Sequence, residues 1–246
     1  MQQTRLILAL LTGLTLSGAA QAALHDRGSG LIFDDVLNIT WLADANYAKT
    51  SGYDADGYMT WTNAVTWADT LVYHDSVRNV DYSDWRLPTM VDTGSPGCNF
   101  AYSGTDCGYN VQTVSGSTVY SELAHMYYNN LGFKGYVSPT GTYQSDFGIF
   151  GNGTTGGERD GLGPNGAIVN LQSHVYWSGT EYAPISDVAW HFYPSYGGQG
   201  ANGEDSDYYA WAVRPGDVAA VPEADTWAML LAGLGLVGVA ARRRRG

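Results

Sequence analysis

Two short runs in the chain carry oxygen-rich side chains at spacings that suit a hard cation. Asp54-Ala55-Asp56-Gly57 has the form of half a calcium loop, in which ligands come from alternating positions. With Asp54 third and Asp56 fifth, the twelfth position is Asn63 in place of the required glutamate. An Asp/Gly turn ahead of a helix accounts for the same residues. Asn202-Gly203-Glu204-Asp205-Ser206-Asp207 is a second such run, and turn chemistry explains it equally well. The candidate cation ligands are therefore Asp54, Asp56, Asn202, Glu204, Asp205 and Asp207. Calcium is the one cofactor they would take. Glu181 and Asp187 are further carboxylates that would pair for glycoside hydrolysis if their separation allowed it.

Aromatic side chains crowd the last third of the chain. Trp177, Tyr182, Trp190 and Tyr196 are candidates for stacking on sugar rings, although strand alternation sends about half of such residues into the core. Cys98 and Cys107, the only cysteines, lie in a Gly/Ser/Asn-rich stretch. In an oxidising compartment this spacing predicts a local disulfide. A redox or metal pair is the alternative, but there is no C-x-x-C and no histidine between them. The histidines at 25, 74, 125, 174 and 191 form no H-E-x-x-H, and G-x-S-x-G and P-loop motifs are absent. No catalytic residue is assigned. Asp84, Trp85, Arg86 and Arg214 read as scaffold, with the arginines bridging to carboxylates.

These residues must be held by a chain of 246 residues, 44% hydrophobic and 13% aromatic, enough for a packed core. The net charge of -12 excludes a nucleic-acid partner. Glu223, Asp225, Arg5 and four tail arginines lie outside 23–221, so the 24 acidic and 12 basic residues fall to 22 and 7 there, about -15. Helical spacing of Trp61, Ala64, Val65, Ala68, Leu71 and Val72 predicts a helix over 60–73 with Thr60 as N-cap. Leu123, Ala124, Tyr127 and Leu131 predict a second over 120–131, stopped by Gly132. Short strands are expected at 31–33, 39–42, 84–87, 147–150, 174–178, 188–193 and 208–214. The seven glycines of 151–166 predict a long surface loop. Helices early and strands late make an α+β domain.

Both ends read as processing signals. Arg5, the apolar run 6–16 and Ala20-Gln21-Ala22 make a signal peptide over 1–22. Near the other end, Val221-Pro222-Glu223 precedes an apolar stretch at 227–241, then Arg242, Arg243, Arg244 and Arg245. Fifteen helical residues span ~22 Å at 1.5 Å each, short of a ~30 Å hydrocarbon core, with Trp227 and the arginines as interfacial anchors. The arginines would hold the C-terminus in the cytoplasm as a stop to translocation. Residues 217–246, ordered in this way, resemble the PEP-CTERM sorting signal of exopolysaccharide-producing Gram-negative bacteria, with Ala224 in place of the second proline. The resemblance implies an exosortase as partner, cutting near the motif, and the inner membrane as a transient one. The same tail is sometimes labelled as that of ice-binding proteins, but the regular Thr repeats of such proteins are absent.

Gly30-Leu31-Ile32-Phe33-Asp34, Asp84-Trp85-Arg86-Leu87-Pro88-Thr89, Tyr176-Trp177-Ser178-Gly179-Thr180-Glu181-Tyr182, Ala189-Trp190-His191-Phe192 and Ala210-Trp211-Ala212-Val213-Arg214 occur in order. In this they resemble the Lcl C-terminal domain family, of unknown function, related in fold to C-type-lectin-like and formylglycine-generating-enzyme-like domains. The resemblance implies a twisted antiparallel sheet, two helices and long loops over 23–216, with a loop-rich ligand face. The Glu-Pro-Asn, Gln-Pro-Asp and Trp-Asn-Asp triplets of calcium-dependent lectins are absent. The expected function is that of a non-enzymatic exported envelope or matrix protein that binds polysaccharide. A secreted hydrolase or oxidase is the alternative.

Overall fold

A computed structural model describes residues 24–94 and 106–218. The expected signal peptide, Cys98, the motif 221–223, the apolar stretch 227–241 and Arg242–Arg245 lie outside the described residues. The architecture is mainly antiparallel β with a few short helices, an α+β arrangement.

Two four-stranded sheets carry it. In the first, β1 (Leu24–Asp26), β2 (Leu31–Asp34), β3 (Ile39–Leu42) and β8 (Val213–Pro215) lie in the order β1-β2-β3-β8. In the second, β4 (Gly108–Tyr109), β5 (Tyr176–Glu181), β6 (Val188–Tyr193) and β7 (Gly198–Gly203) lie in the order β5-β6-β7-β4. Successive strand residues point to opposite faces. Here both faces are covered: Leu31 packs in one cluster and Ile32 in another, as do Trp177 and Tyr176. The extended run 208–213 joins the sheets. The Trp177 N–H donates to Tyr209 O (2.9 Å), and the Leu42 N–H to Ala212 O (3.1 Å).

After a single helical turn at Tyr47–Thr50, the longest described helix, α1, runs Trp61–Thr70 from Thr60, whose side chain makes no capping bond. It buries Ala64, Trp67 and Ala68, so Trp67 joins the apolar stripe. The chain leaves the helix at Leu71, and Val72 is 62% exposed, contrary to the expected stripe. The second, α2 (Glu122–His125), is capped by Ser121, whose oxygen accepts from the Ala124 N–H. It widens into a π-helical turn over Met126–Asn130 before Gly132. Among the described residues no helix is long and apolar enough to cross a membrane.

Two expected strands do not form. Arg86 makes a single bridge to Val213, and 147–150 is a turn, closed by the Gly151 N–H on Gly148 O (3.0 Å). The stretch 151–166 is not all loop: Glu158–Arg159 pairs with Leu171–Gln172. The sequence reading also misses β7, Gly-Gln-Gly-Ala-Asn-Gly, which pairs with all six residues of β6. Its glycines leave room for rings: a Cβ at Gly200 would stand 3.2 Å from His191 Nε2.

The expected scaffold pairs form. Arg86 holds Glu122 with two bonds of 2.7 Å, and Arg214 holds Asp84 at 2.8 and 3.0 Å while lying 4.3 Å over the Tyr82 ring.

Candidate functional site

The turn from β6 to β7 carries Tyr196 outward. The Tyr196 and Gly197 N–H groups both donate to Tyr193 O, at 3.1 and 2.7 Å, and Gly197 has φ +67°. A side chain at Gly197 would strike the Tyr127 ring (2.8 Å) and Gly135 Cα (2.9 Å), so the loop 133–150 lies hard against this turn. Gly148, at φ +78°, makes the second close approach, 2.5 Å from Ser195 O for a Cβ. The Tyr136 N–H donates to Tyr196 O (2.8 Å), and the Gln144 N–H to Tyr136 O (2.9 Å). Buried Tyr127 anchors the same loop from below, its hydroxyl donating to Lys134 O at 2.7 Å.

This packing assembles a block of rings. Tyr136 touches Tyr143 (5.0 Å between centroids), Phe147 (4.9 Å), Tyr109 (6.1 Å) and Tyr196 (6.2 Å). Phe147 stacks on Tyr196 at 5.7 Å and 18°. Tyr143 is 72% and Tyr196 37% exposed, so the block presents ring faces to water. Burial, and then the neighbouring phenols of Tyr136, Tyr196 and Tyr143, push the Tyr109 hydroxyl above its ordinary pKa, which keeps it a donor. Beside the block, Lys134 and Asp146 form an ion pair that lowers the Asp146 pKa through the lysine's hydrogen bond.

Of the four aromatic candidates, only Tyr196 belongs here. Trp177 is fully buried with its indole N–H on Met59 O (2.8 Å), and Trp190 is 2% exposed with its N–H on Asp92 (2.8 Å). Tyr182 is 7% exposed and meets Trp190 edge to face. Because both faces of the second sheet are covered, these three lie in the core whichever way they point. Sequence reasoning missed Tyr136 and Tyr143 because they lie between predicted elements, and Phe147 because it was read as the start of a strand at 147–150, which is a turn. The available signal was three aromatics within twelve residues of a Gly/Ser/Thr-rich stretch.

The first acidic run is turn chemistry. Asp54 accepts from the Asp56 and Gly57 N–H groups (3.1 and 2.8 Å), and Asp56 from the Tyr58 N–H (3.0 Å). The second run borders a shallow depression lined by Thr60, Thr62, Asp187, Glu204 and Asp205. Partial burial, then Glu181 and Asp187, raise the Glu204 pKa. Asn202 is engaged with Tyr208 OH (2.6 Å). Among the described residues no group of three or more His, Cys, Asp or Glu is placed to hold a metal ion. Cys107 is 3% exposed and sits with Met90, Tyr182 and Trp190.

His125 and His191 are both buried, and burial lowers both pKa values, that of His191 to about 3. His174 stands beside the Tyr58 and Tyr208 rings, and their partial cover of it lowers its pKa. His125 Nε2 lies 3.8 Å from Asp34 Oδ2, both groups buried.

Residues 220–245 match the PEP-CTERM protein-sorting motif. The motif marks the chain for export and exosortase-mediated sorting, through a membrane-anchored intermediate, to the cell envelope or the exterior. No curated protein matches the chain. No solved structure matches it.

Proposed function

We propose that this sorted protein is a non-enzymatic component of the envelope or matrix that binds polysaccharide through Tyr136, Tyr143, Phe147 and Tyr196. The observation that carries the reading is the exposure of Tyr143 and Tyr196 on a block of touching rings. Ring faces of this kind stack on the apolar faces of sugars, while phenol hydroxyls meet sugar hydroxyls. The ordered residues from Gly30 to Arg214 support a lectin-like relation for 23–216, and pairing of Cys98 with Cys107 would tie the segment ahead of β4. The test is retention of the protein on the producing bacterium's own exopolysaccharide. Wild type is expected to be held and the Tyr143→Ala/Tyr196→Ala variant released, while the variant keeps the far-ultraviolet dichroism and cooperative melting of a folded protein. Equal retention of the two would sink the reading.

The depression that brings Asp187, Glu204 and Asp205 together favours hydrolysis as a second reading. Partial burial, then Glu181 and Asp187, raise the Glu204 carboxyl, the kind of contrast that separates a general acid from its partner carboxylate. The same depression would be the place of a bound calcium ion, held by Glu204 and Asp205. Glu204→Gln abolishes sugar release on the hydrolytic reading and leaves glycan retention untouched on the binding one. A chelator that lowers the melting temperature would support the cation.

A further inference from the structure

We propose that the ring block selects uncharged polysaccharide and needs no metal ion to do so; this rests on the glycan-binding reading. Three ligand chemistries compete for exposed aromatic rings in an acidic protein: alkylammonium groups, polyuronates and neutral sugars. An ammonium held by a cage needs a gap among the rings, with each centroid within about 6 Å of the cation. Here neighbouring centroids are 4.9–6.2 Å from one another, which is ring against ring. The block has no interior, so it acts through its outward faces.

A polyuronate needs cations at the rings. Within 133–150 and 193–198, which carry Tyr136, Tyr143, Phe147 and Tyr196, the only charged side chains are Lys134 and Asp146. They are bound to each other, so the lysine is neutralised locally. The charge of about -15 over 23–221 repels an anionic polymer at longer range. A calcium-bridged sugar is disfavoured on the same count. Asp146 is the sole carboxylate of these segments, and its Oδ2 is taken by Lys134.

What remains is an uncharged pyranose chain lying across Tyr143 and the Phe147–Tyr196 stack. Its hydroxyls would exchange bonds with the tyrosine hydroxyls. The turn under Tyr143 is stiff: the Ser138 N–H donates to Thr142 O (2.8 Å), and Ser138 Oγ accepts from the Thr142 N–H (3.0 Å). A ring presented by a rigid turn loses little entropy on binding.

The test is affinity electrophoresis of the full chain in mild detergent through gels containing hydroxyethylcellulose, dextran, alginate or chitosan. Retardation is expected with at least one neutral polymer, unchanged by EDTA and by high salt, since no charge is exchanged. Tyr143→Ala and Tyr196→Ala should each weaken it about tenfold, the loss of one ring contact. Retardation by alginate or chitosan alone, abolished in the same variants, overturns the inference and leaves glycan binding standing. So does EDTA-sensitive binding. No retardation in any gel overturns both, and neutral-polymer binding that survives both substitutions moves the site elsewhere.

Discussion

Arg86 illustrates how a residue that looks chemical can be structural. Its guanidinium takes both oxygens of Glu122, whose side chain is 6% exposed, and one of those oxygens also accepts from the Thr89 N–H at 2.7 Å. The pair ties the start of α2 to the 84–89 segment. Arg86→Ala leaves a buried carboxylate with one backbone donor. We expect a loss of about 2–3 kcal/mol in urea denaturation, below the ~3–5 of a fully buried pair because Arg86 is partly solvated. His191 is an acid-sensitive residue. It sits among the Trp177, Tyr193 and Tyr208 rings, and burial pushes its pKa down to about 3. The unfolded imidazole takes a proton near pH 6.5, so between these values the unfolded state binds more protons and acid favours unfolding. Stability should fall as pH drops below about 6.5, by about 3 kcal/mol at pH 4 from this group. Denaturation of His191→Gln at pH 7 and pH 4 should show a smaller difference than wild type; an unchanged difference assigns the acid sensitivity to other groups.

At the scale of elements, the β6–β7 hairpin and the loop 133–150 are one unit. Gly197 serves two demands at once, a left-handed backbone and a contact with Tyr127 and Gly135 that leaves no space for a Cβ. Gly197→Ala should cost about 2–4 kcal/mol, strain plus overpacking, read as a lowered denaturation midpoint. It should also disorder the ring block, seen as a loss of near-ultraviolet tyrosine dichroism. A variant of wild-type stability would mean that the two segments are not locked together. The hairpin's second strand also explains why β7 escapes a sequence reading. Gly-Gln-Gly-Ala-Asn-Gly has the composition of a loop, and pairing with a strand of Trp, His, Phe and Tyr makes it a strand.

At the scale of the whole molecule, the first and last described segments meet on one sheet. Arg27 holds Asp217 with bonds of 2.8 and 2.7 Å, Thr40 donates to Gly216 O, and Val218 is 2% exposed. The sorting motif begins at 220, two positions after the last described residue. In sequence, only Ala219 separates that motif from Val218. If the arginines are the stop to translocation, replacing Arg242, Arg243, Arg244 and Arg245 with neutral residues should move protein from the membrane fraction to the soluble one. Fractionation followed by blotting reads the shift. An unchanged distribution would place retention in the apolar stretch alone.

The sequence by itself determined destination and secondary structure where the information is local. A sorting tail is read in linear order by its own machinery, so Val221, Pro222, Glu223 and the arginine run are legible without a fold. Helical spacing placed α1, and dense β-branched and aromatic runs placed β3 and β6 to the residue. Tertiary structure alone decided which aromatics meet water. Trp177 and Tyr196 are equally aromatic in sequence, yet one is fully buried between the second sheet and α1 while the other tops a turn. Burial depends on what packs from far along the chain, and the ring block draws Tyr109, Tyr136, Tyr143, Phe147 and Tyr196 from three separate segments. No local pattern encodes such a meeting, because the contacts that create it form only when the sheets and loops close on one another.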